Sequence, residues 1–292
     1  MDYLNIKISR KYQNISIKEF LKQYHVGRKT IEDIRVKKLV LLNQENTTLD
    51  TIIHENDILS FLLDEEVDFI PYDYQIEISY EDDYVLIVNK PSGILIHPDD
   101  ENNHKTLVNV IASYYLKNNI HRKVRYAHRI DFDTSGIVIF AKDFLTLSML
   151  NHLVETHELK RYYLALCHNK FNSLKGVINY SIGRDRHQSN KYRVSDSPLS
   201  KSAHTHFKII KQFSNYALVK LRLEEGRTHQ IRVHMSYIHH PLLGDELYGG
   251  KKKLISRVAL HSYQVEFIHP ITNEFINIIQ DLPDDMKKLV GD

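Results

Sequence analysis

Residues 216–223 read Tyr-Ala-Leu-Val-Lys-Leu-Arg-Leu, which places Ala217, Val219, Leu221 and Leu223 on one face of an extended chain and Lys220 and Arg222 on the other. A period of two is the mark of a strand with one buried and one wet face. Strand patterns also occupy 75–80, 84–89, 137–141 and 162–167. Helices fit between them. Asp143 is placed to cap one that runs to His157 with Leu147, Leu150 and Val154 inward, and Thr228 to cap another with Ile231, Met235 and Ile238 inward. The elements follow no regular βαβ rhythm, so the expected class is α+β, with a mixed, mainly antiparallel sheet.

The N-terminal part has its own pattern. Ser16 is placed to cap a helix over 16–25 with Ile17, Phe20, Leu21 and Tyr24 on one face. A second helix is expected over 28–38, with Ile31, Ile34 and Val36 inward and Arg28, Lys29, Lys37 and Lys38 outward. Short strands are expected at 39–43 and 58–63, which makes residues 1–63 a small head of two helices and a few strands. Residues 64–74, acidic and containing Pro71, are expected to form a linker, and residues 75–292 the main domain.

Charge is distributed unevenly behind the net +2. Residues 64–83 hold nine Asp or Glu and no Lys or Arg, so head and body are both basic. Two basic parts joined by an acidic stretch point to a polyanionic partner, although a mildly basic surface is also compatible with simple solubility. The polar segment 183–202 carries Arg184, Arg186, Lys191, Arg193 and Lys201 with little periodicity, and is expected to be a mobile, substrate-gripping loop. The lone Cys167 excludes a disulfide framework and fits a reducing compartment. No secretory signal is visible, and no apolar run approaches the roughly 20 residues of a membrane-spanning helix. The expectation is a cytoplasmic protein with no membrane partner, monomeric by default.

Residues 126–142 contain the residues best suited to chemistry. Asp131 lies two residues after Arg129, and the turn Thr134-Ser135-Gly136 leads into the apolar run Ile137 to Phe140. Gly136 permits backbone conformations that other residues resist. Local physics leaves two readings open: a carboxylate presented for reaction, or a strand-entry turn whose aspartates only cap the backbone. No phosphate-binding glycine loop is present. His204-x-His206 and the adjacent His239 and His240 are the nearest approach to a metal set. With one cysteine and no third ligand at useful spacing, no metal site is expected.

Five motifs resemble those of the RluA/RluD-type pseudouridine synthases. They are Tyr80 to Tyr84 with Val88 to Gly93, Ala127 to Ile137 around Asp131, Arg161 to Ala165, Gly226 to His234, and His240 to Asp245 with Leu260 to Ser262. They stand in the family's order over roughly 76–285. The head in turn resembles an S4-like RNA-binding domain, apart from a glycine usual before its first strand, where Lys37 and Lys38 stand.

The resemblance implies isomerisation of uridine to pseudouridine in RNA: the carbon–nitrogen glycosidic bond breaks and uracil rejoins through ring carbon 5. Nothing is oxidised, so no cofactor is implied. It makes Asp131 the reacting carboxylate, Arg232 its charge partner and Tyr163 the residue stacked on the base. Ile231 would line the pocket, and Arg129 would fill the space the base leaves. Arg227, Arg184, Lys191, Arg28 and Lys29 are expected RNA contacts. Phe132 stands where a lysine is frequent, at the cost of one phosphate contact. The expected target is 23S ribosomal RNA. Transfer RNA, or a non-catalytic ribosome-associated role on the same fold, are the alternatives. A glycoside hydrolase would want a second placed carboxylate, and no motif supplies one.

Overall fold

In the computed structural model, residues 2–63, 65–188 and 190–291 are described. Asp64, the first residue of the expected linker, and Ser189, within the expected basic loop, lie outside them. The head comprises β1 (Tyr3–Lys7), β2 (Ile15–Ser16), α1 (Ile17–Gln23), α2 (Arg28–Lys37), β3 (Val40–Leu42), β4 (Glu45–Asn46), β5 (Ile52–Ile53) and β6 (Ile58–Leu62). β1, β6, β3 and β4 form one sheet in that order, and β2 pairs with β5. Ser16 caps α1 by accepting the Glu19 N–H, and Ile17, Phe20 and Leu21 are buried below it. Ile31 and Ile34 of α2 are buried as expected, but Val36 is 65 % exposed, because the helix turns that position outward as it ends. Lys38 ends α2 with a φ of 53°. The left-handed conformation there is the one a glycine would adopt freely, which explains why the S4-like pattern has glycine near this point.

The body comprises β7 (Glu77–Glu81), β8 (Val85–Lys90), α3 (Leu107–Lys117), β9 (Arg125–Tyr126), β10 (Ser135–Ala141), α4 (Phe144–Glu155) and β11 (Lys160–His168). It continues with β12 (Lys175–Asn179), β13 (Ile182–Arg184), β14 (Tyr192–Val194), β15 (His204–Gln212), β16 (Tyr216–Leu223) and α5 (Gln230–Tyr237). β17 (Leu260–Ile268), β18 (Phe275–Ile279) and α6 (Asp284–Val290) complete it. The main sheet runs β12-β15-β16-β11-β17-β10-β8-β7, with β9 on β10 and β18 on β17. Only β10 and β17 pair in parallel among the described strands, so the sheet is mainly antiparallel.

Both faces of the sheet are covered. Val138 and Phe140 of β10 belong to one apolar core with Leu107, Val108, Ile111 and Tyr115 of α3 and Ile231 and Met235 of α5. Ile137 and Ile139 meet Leu150 and Leu153 of α4 on the other face. The even–odd split of β10 therefore serves two cores, and its pattern reads as a continuous apolar run rather than an alternation. Asp143 caps α4 through the N–H groups of Leu145 and Thr146.

Further expectations change. Thr228 does not cap α5; His229 occupies that place with a φ of 58°, and Gln230 Oε1 accepts the Arg227 N–H at 2.9 Å. The segment 183–202 is not wholly irregular: β13 and β14 pair as a hairpin, tied to the body where Tyr192 N–H donates to Tyr248 Oη at 3.0 Å. The acidic stretch is strapped down. Glu65 pairs with Arg125, Asp68 accepts the Val124 N–H at 2.9 Å, and Val67 and Phe69 pack on the main core. The head is also joined to the body by packing, since Leu145 of α4 is buried within the head's own core and Phe144 and Met149 pack against it.

Two histidines are held neutral inside. His128 is pushed down to about 3 by burial, with Arg161 adding to the effect, and neither ring nitrogen has a hydrogen-bond partner among the described residues. His261 is pushed down to about 4, chiefly by burial. Below pH 6.5 the unfolded chain binds protons that the folded chain refuses, so stability falls with acid until the folded values are reached. Each histidine can contribute up to about 1.4 kcal/mol per pH unit in that window. Urea unfolding from pH 6.5 to 4.5 should show this loss, and His128→Leu should flatten the slope by about the share of one histidine; an unchanged slope would contradict it.

Candidate active site

Asp131 begins a turn closed by the Thr134 N–H on its own carbonyl at 3.1 Å. The next carbonyl, of Phe132, accepts from Gly93 N–H at 2.9 Å and from Lys90 Nζ at 3.1 Å. Lys90 is fully buried and also donates to the carbonyls of Pro91 and Ile94, both at 2.9 Å. Burial pushes Lys90 down to about 7, while Asp131 and Asp133 act in the opposite sense. Three carbonyl acceptors match the three protons of an ammonium, which a neutral amine could not supply. Lys90 thus pins the Asp131 turn to the end of β8.

Gly136 fixes the other side of the turn. It has a φ of 107°, and a Cβ there would stand 2.2 Å from the Ser262 carbonyl oxygen of β17. Ser135 Oγ meets His261 Nδ1 at 2.9 Å instead of capping the turn. Among the described residues no backbone N–H donates to the Asp131 carboxylate, so it is not a capping group. Its side chain is 27 % exposed, with Arg232 Nη1 at 3.6 Å and His229 Nε2 at 3.9 Å.

Arg232, on α5, has a closer partner than the one expected. Its Nε and Nη2 both donate to Asp245 at 2.8 Å, a two-pronged pair in which Asp245 is 1 % exposed. Asp131 receives only the remaining nitrogen, at longer range. The guanidinium also lies 5.0 Å from the centroid of the Tyr248 ring. Burial opposes the Arg232 charge, but Asp245 and then Asp131 outweigh it and raise its pKa.

His229 closes the ring of contacts. Tyr248 Oη accepts the Tyr192 N–H, lies 3.0 Å from His229 Nδ1, and is pushed up to about 12, mainly by burial, so it keeps its proton. Nε2 of the same ring faces Asp131. Burial lowers the pKa of His229, so the ring is neutral near pH 7. Asp131 is therefore faced by one cation and one neutral imidazole.

Tyr163 is 4 % exposed and packs with Ile231 in the main core. Both line a small cavity of about 50 Å³ shared with Asp131, Arg129, Arg227 and Arg232. A register shift between Tyr162 and Tyr163 against β17 separates the two tyrosines. Tyr162 instead meets Glu266 at 3.2 Å, with Lys220 Nζ 4.5 Å from its ring centroid. Burial raises the pKa of Tyr163, so it is a neutral phenol at pH 7. A second cavity of about 350 Å³ opens on the other side of the same group, lined by Asp131, Arg129, His229, Arg232, Tyr126 and Phe132 among others. Arg129 is exposed and has no ion pair among the described residues, so it is not the structural partner of Asp131.

Arg184 and Arg227 line a neighbouring cavity of about 340 Å³ together with Lys201. Lys191 lies 5.6 Å from the Tyr248 ring centroid. Arg28 and Lys29 stand apart, exposed on the first turn of α2. A larger cavity, about 850 Å³, lies between β1 and the Arg122 and Lys142 region and includes none of the candidate site residues. Among the described residues, one set of side chains has donor atoms close enough for a metal ion: His204, Glu224 and Glu225. The glutamates at the end of β16 are the neighbours that a search along the chain near His204 does not reveal. Their oxygens are engaged, Glu225 with His204 at 2.8 Å and Glu224 with His206 at 2.6 Å, and Arg222 supplies a nearby positive charge. Asp245, His229, Tyr248 and Lys90 were not singled out from the sequence. Their signal was slight, since Lys90 and Asp245 stand inside recognised motifs without an evident task and His229 is one of eighteen histidines.

A sheet of this order, with a carboxylate, an arginine and a tyrosine meeting at one opening, defines an RNA-modifying enzyme when set beside known proteins. Residues 84–237 match the RNA pseudouridylate synthase family, and residues 4–59 match the N-terminal domain of the RluD ribosomal pseudouridine synthase. The uncharacterized RNA pseudouridine synthase YhcT of Bacillus subtilis is 41 % identical over 267 residues, 90 % of this chain and 88 % of that protein. The ribosomal large subunit pseudouridine synthase D of Buchnera aphidicola is 34 % identical over 278 residues, 87 % of each chain. The structure of human RNA pseudouridylate synthase domain containing 1 shares the fold, with a TM-score of 0.60 and 23 % identity over 71 % of this chain and 83 % of that one. The chain belongs to the RNA pseudouridylate synthase family, in its RluA/RluD-type branch. It is an RNA-directed isomerase that converts uridine to pseudouridine.

Proposed function

We propose that Asp131 is the reacting carboxylate, with Arg232 as its charge partner, Tyr163 as the stacking platform and Ile231 as the apolar wall. One observation carries this reading: the Asp131 carboxylate has no structural employment in its own turn, yet Arg232 and His229 face it across an open cavity. In the overall reaction the bond from ribose carbon 1′ to uracil N1 breaks and a bond to uracil carbon 5 forms. One proton leaves carbon 5 and one is gained at N1. Asp131 serves as the ionised group that acts on sugar or base while the glycosidic bond is open. Tyr163, protonated and buried, offers a π-face and a hydroxyl rather than a phenolate. A uridine in structured RNA must leave its stack, which costs a few kcal/mol. Arg129, exposed at the rim of both cavities, is the side chain placed to occupy the gap.

The RNA wraps, in this reading, from the cavity past Arg227, Arg184 and Lys191 toward the head, where Arg28 and Lys29 meet phosphates in the manner of an S4-like domain. We assign the head to residues 1–63, the strapped acidic stretch to 64–74 and the catalytic domain to 75–292. The target is a uridine of large-subunit ribosomal RNA. The match of residues 4–59 to the RluD N-terminal domain and the name of the Buchnera relative support this. No described helix is long and apolar enough to cross a membrane; a ribosomal RNA substrate supports a cytoplasmic location, and we take the protein to act as a monomer.

Tritium release from RNA labelled at uracil carbon 5, taken from cells lacking the gene, tests the site. Wild type should release tritium and Asp131→Asn should lose at least about 1,000-fold in rate, the scale expected when a group essential to covalent or acid–base chemistry is removed. Equal rates would sink the assignment. Mapping pseudouridine across total RNA with and without the gene should show a lost position in large-subunit ribosomal RNA; a loss confined to transfer RNA would overturn the target. Arg28→Gln with Lys29→Gln should lower the log–log salt slope of RNA binding by about 0.7–0.9 per phosphate contact removed. An unchanged slope would mean that this face does not touch RNA.

A further inference from the structure

We propose that His204, Glu224 and Glu225, with His206 as the fourth donor, form a binding site for a divalent transition metal of the zinc class. None of the four lines either cavity that Asp131 lines, so the site is separate from the one described above. Along the chain, His204-x-His206 has no third ligand at useful spacing; the fold supplies two. β15 and β16 pair antiparallel, with Thr205 opposite Leu223 and His206 opposite Arg222. One step further on, the Glu224 N–H donates to the His204 carbonyl at 3.3 Å. The side-chain period of two in a strand then puts His204, His206 and Glu224 on one face. Glu225, the next residue, brings a second carboxylate to the same place.

The distances suit a metal. His204 Nδ1 lies 2.8 Å from Glu225 Oε1 and 3.7 Å from Glu224 Oε2, and ligand atoms of these three residues all lie within 4.8 Å of one another. Donors bound at about 2.0–2.2 Å to a tetrahedral metal stand about 3.3–3.6 Å apart, a value that the two distances straddle. His206 Nε2, 2.6 Å from Glu224 Oε1, makes the set two imidazoles and two carboxylates. Imidazole suits zinc and its neighbours, whereas magnesium and calcium favour oxygen alone. Burial opposes ionisation of Glu225, but His204 outweighs it and holds the carboxyl below its usual range. An ionised carboxylate only accepts, so the proton between them sits on the imidazole, and a metal would displace it.

Glu225 is also aimed. Its Oε2 accepts the His204 N–H at 2.6 Å and faces Gln230 Nε2 at 3.5 Å, which leaves Oε1 turned to the ring. Outer partners of this kind orient metal ligands. Gln230 opens α5, so a bound ion would cross-link β15 to the chain that enters this helix. Arg222 opposes a cation here: its Nη2 is 3.1 Å from His206 Nε2 and 3.9 Å from Glu224 Oε1. Its side chain is 35 % exposed, so solvent screens part of that charge.

The test uses the full chain, free of any affinity tag and stripped with a chelator. It is titrated with zinc chloride by calorimetry and with cobalt chloride by visible absorption. Wild type should bind one equivalent with a dissociation constant on the order of 1 µM, and cobalt should show the intense bands of a four-coordinate site. His204→Asn and Glu225→Gln should each weaken binding at least about 100-fold, the upper end of what loss of a mere outer partner costs. Arg222→Gln removes a competing charge and no donor, and should tighten binding about three- to tenfold, the scale of one screened charge nearby. His239→Asn, in the other histidine pair, should change nothing. Absence of a bound equivalent, wild-type affinity in His204→Asn or Glu225→Gln, or loss of the bound equivalent in His239→Asn overturns the inference. So does unchanged or weaker binding in Arg222→Gln, which decides alone should the donor variants not fold.

Discussion

The close approach of β10 and β17 at Gly136 is the constraint on which the site depends. Ser262 pairs in register with Gly136 on one side and with Tyr163 on the other, so three residues lie in a row across the sheet. Strands in a sheet are about 4.8 Å apart, which sets Tyr163 roughly two strand spacings from the strand that Asp131 leads into. Any side chain at 136 would push the Ser262 backbone away and carry the Asp131 turn with it. The parallel contact is only two residue pairs long in an otherwise antiparallel sheet, and the absence of one Cβ makes it possible.

Around that fixed point, charge is arranged in layers. Lys90 spends its protons on carbonyls, not on a carboxylate, and so holds the Asp131 turn by its backbone. Asp245 binds Arg232, Arg232 rests on Tyr248, and Tyr248 orients His229. Each buried polar group settles the geometry of the next, as a fully satisfied network can in a low-dielectric setting. The carboxylate at the centre is the group left without a close partner. That is the reverse of what stability alone would favour, since a two-pronged ion pair at Asp131 would be the tighter arrangement.

The head is more than an appended module. Leu145 of α4 lies in its core, and Arg122 pairs with Asp2. The acidic run expected as a linker lies along a basic edge of the body, where Glu65 pairs with Arg125. Length and composition alone could not distinguish a tether from a strap. Both can be acidic, and only the facing surface differs.

The sequence by itself determined the class of fold, the helix caps at Ser16 and Asp143, the two-faced strands and the residues that meet at the cavity. Those features are local, or recur as motifs, and periodicity and turn chemistry are legible one segment at a time. Tyr163 could be preferred to Tyr162 in the same way, by its place in a short motif. The tertiary structure decided what depends on distant partners: that Arg232 binds Asp245 before Asp131, that His229 faces Asp131, and that Val36 faces solvent. It also decided that half of a supposed loop is a hairpin. The physical reason is common to all of these. A side chain's partner is set by the few ångströms around it in space, and residues 131, 163, 232 and 245 become neighbours only once the sheet has closed.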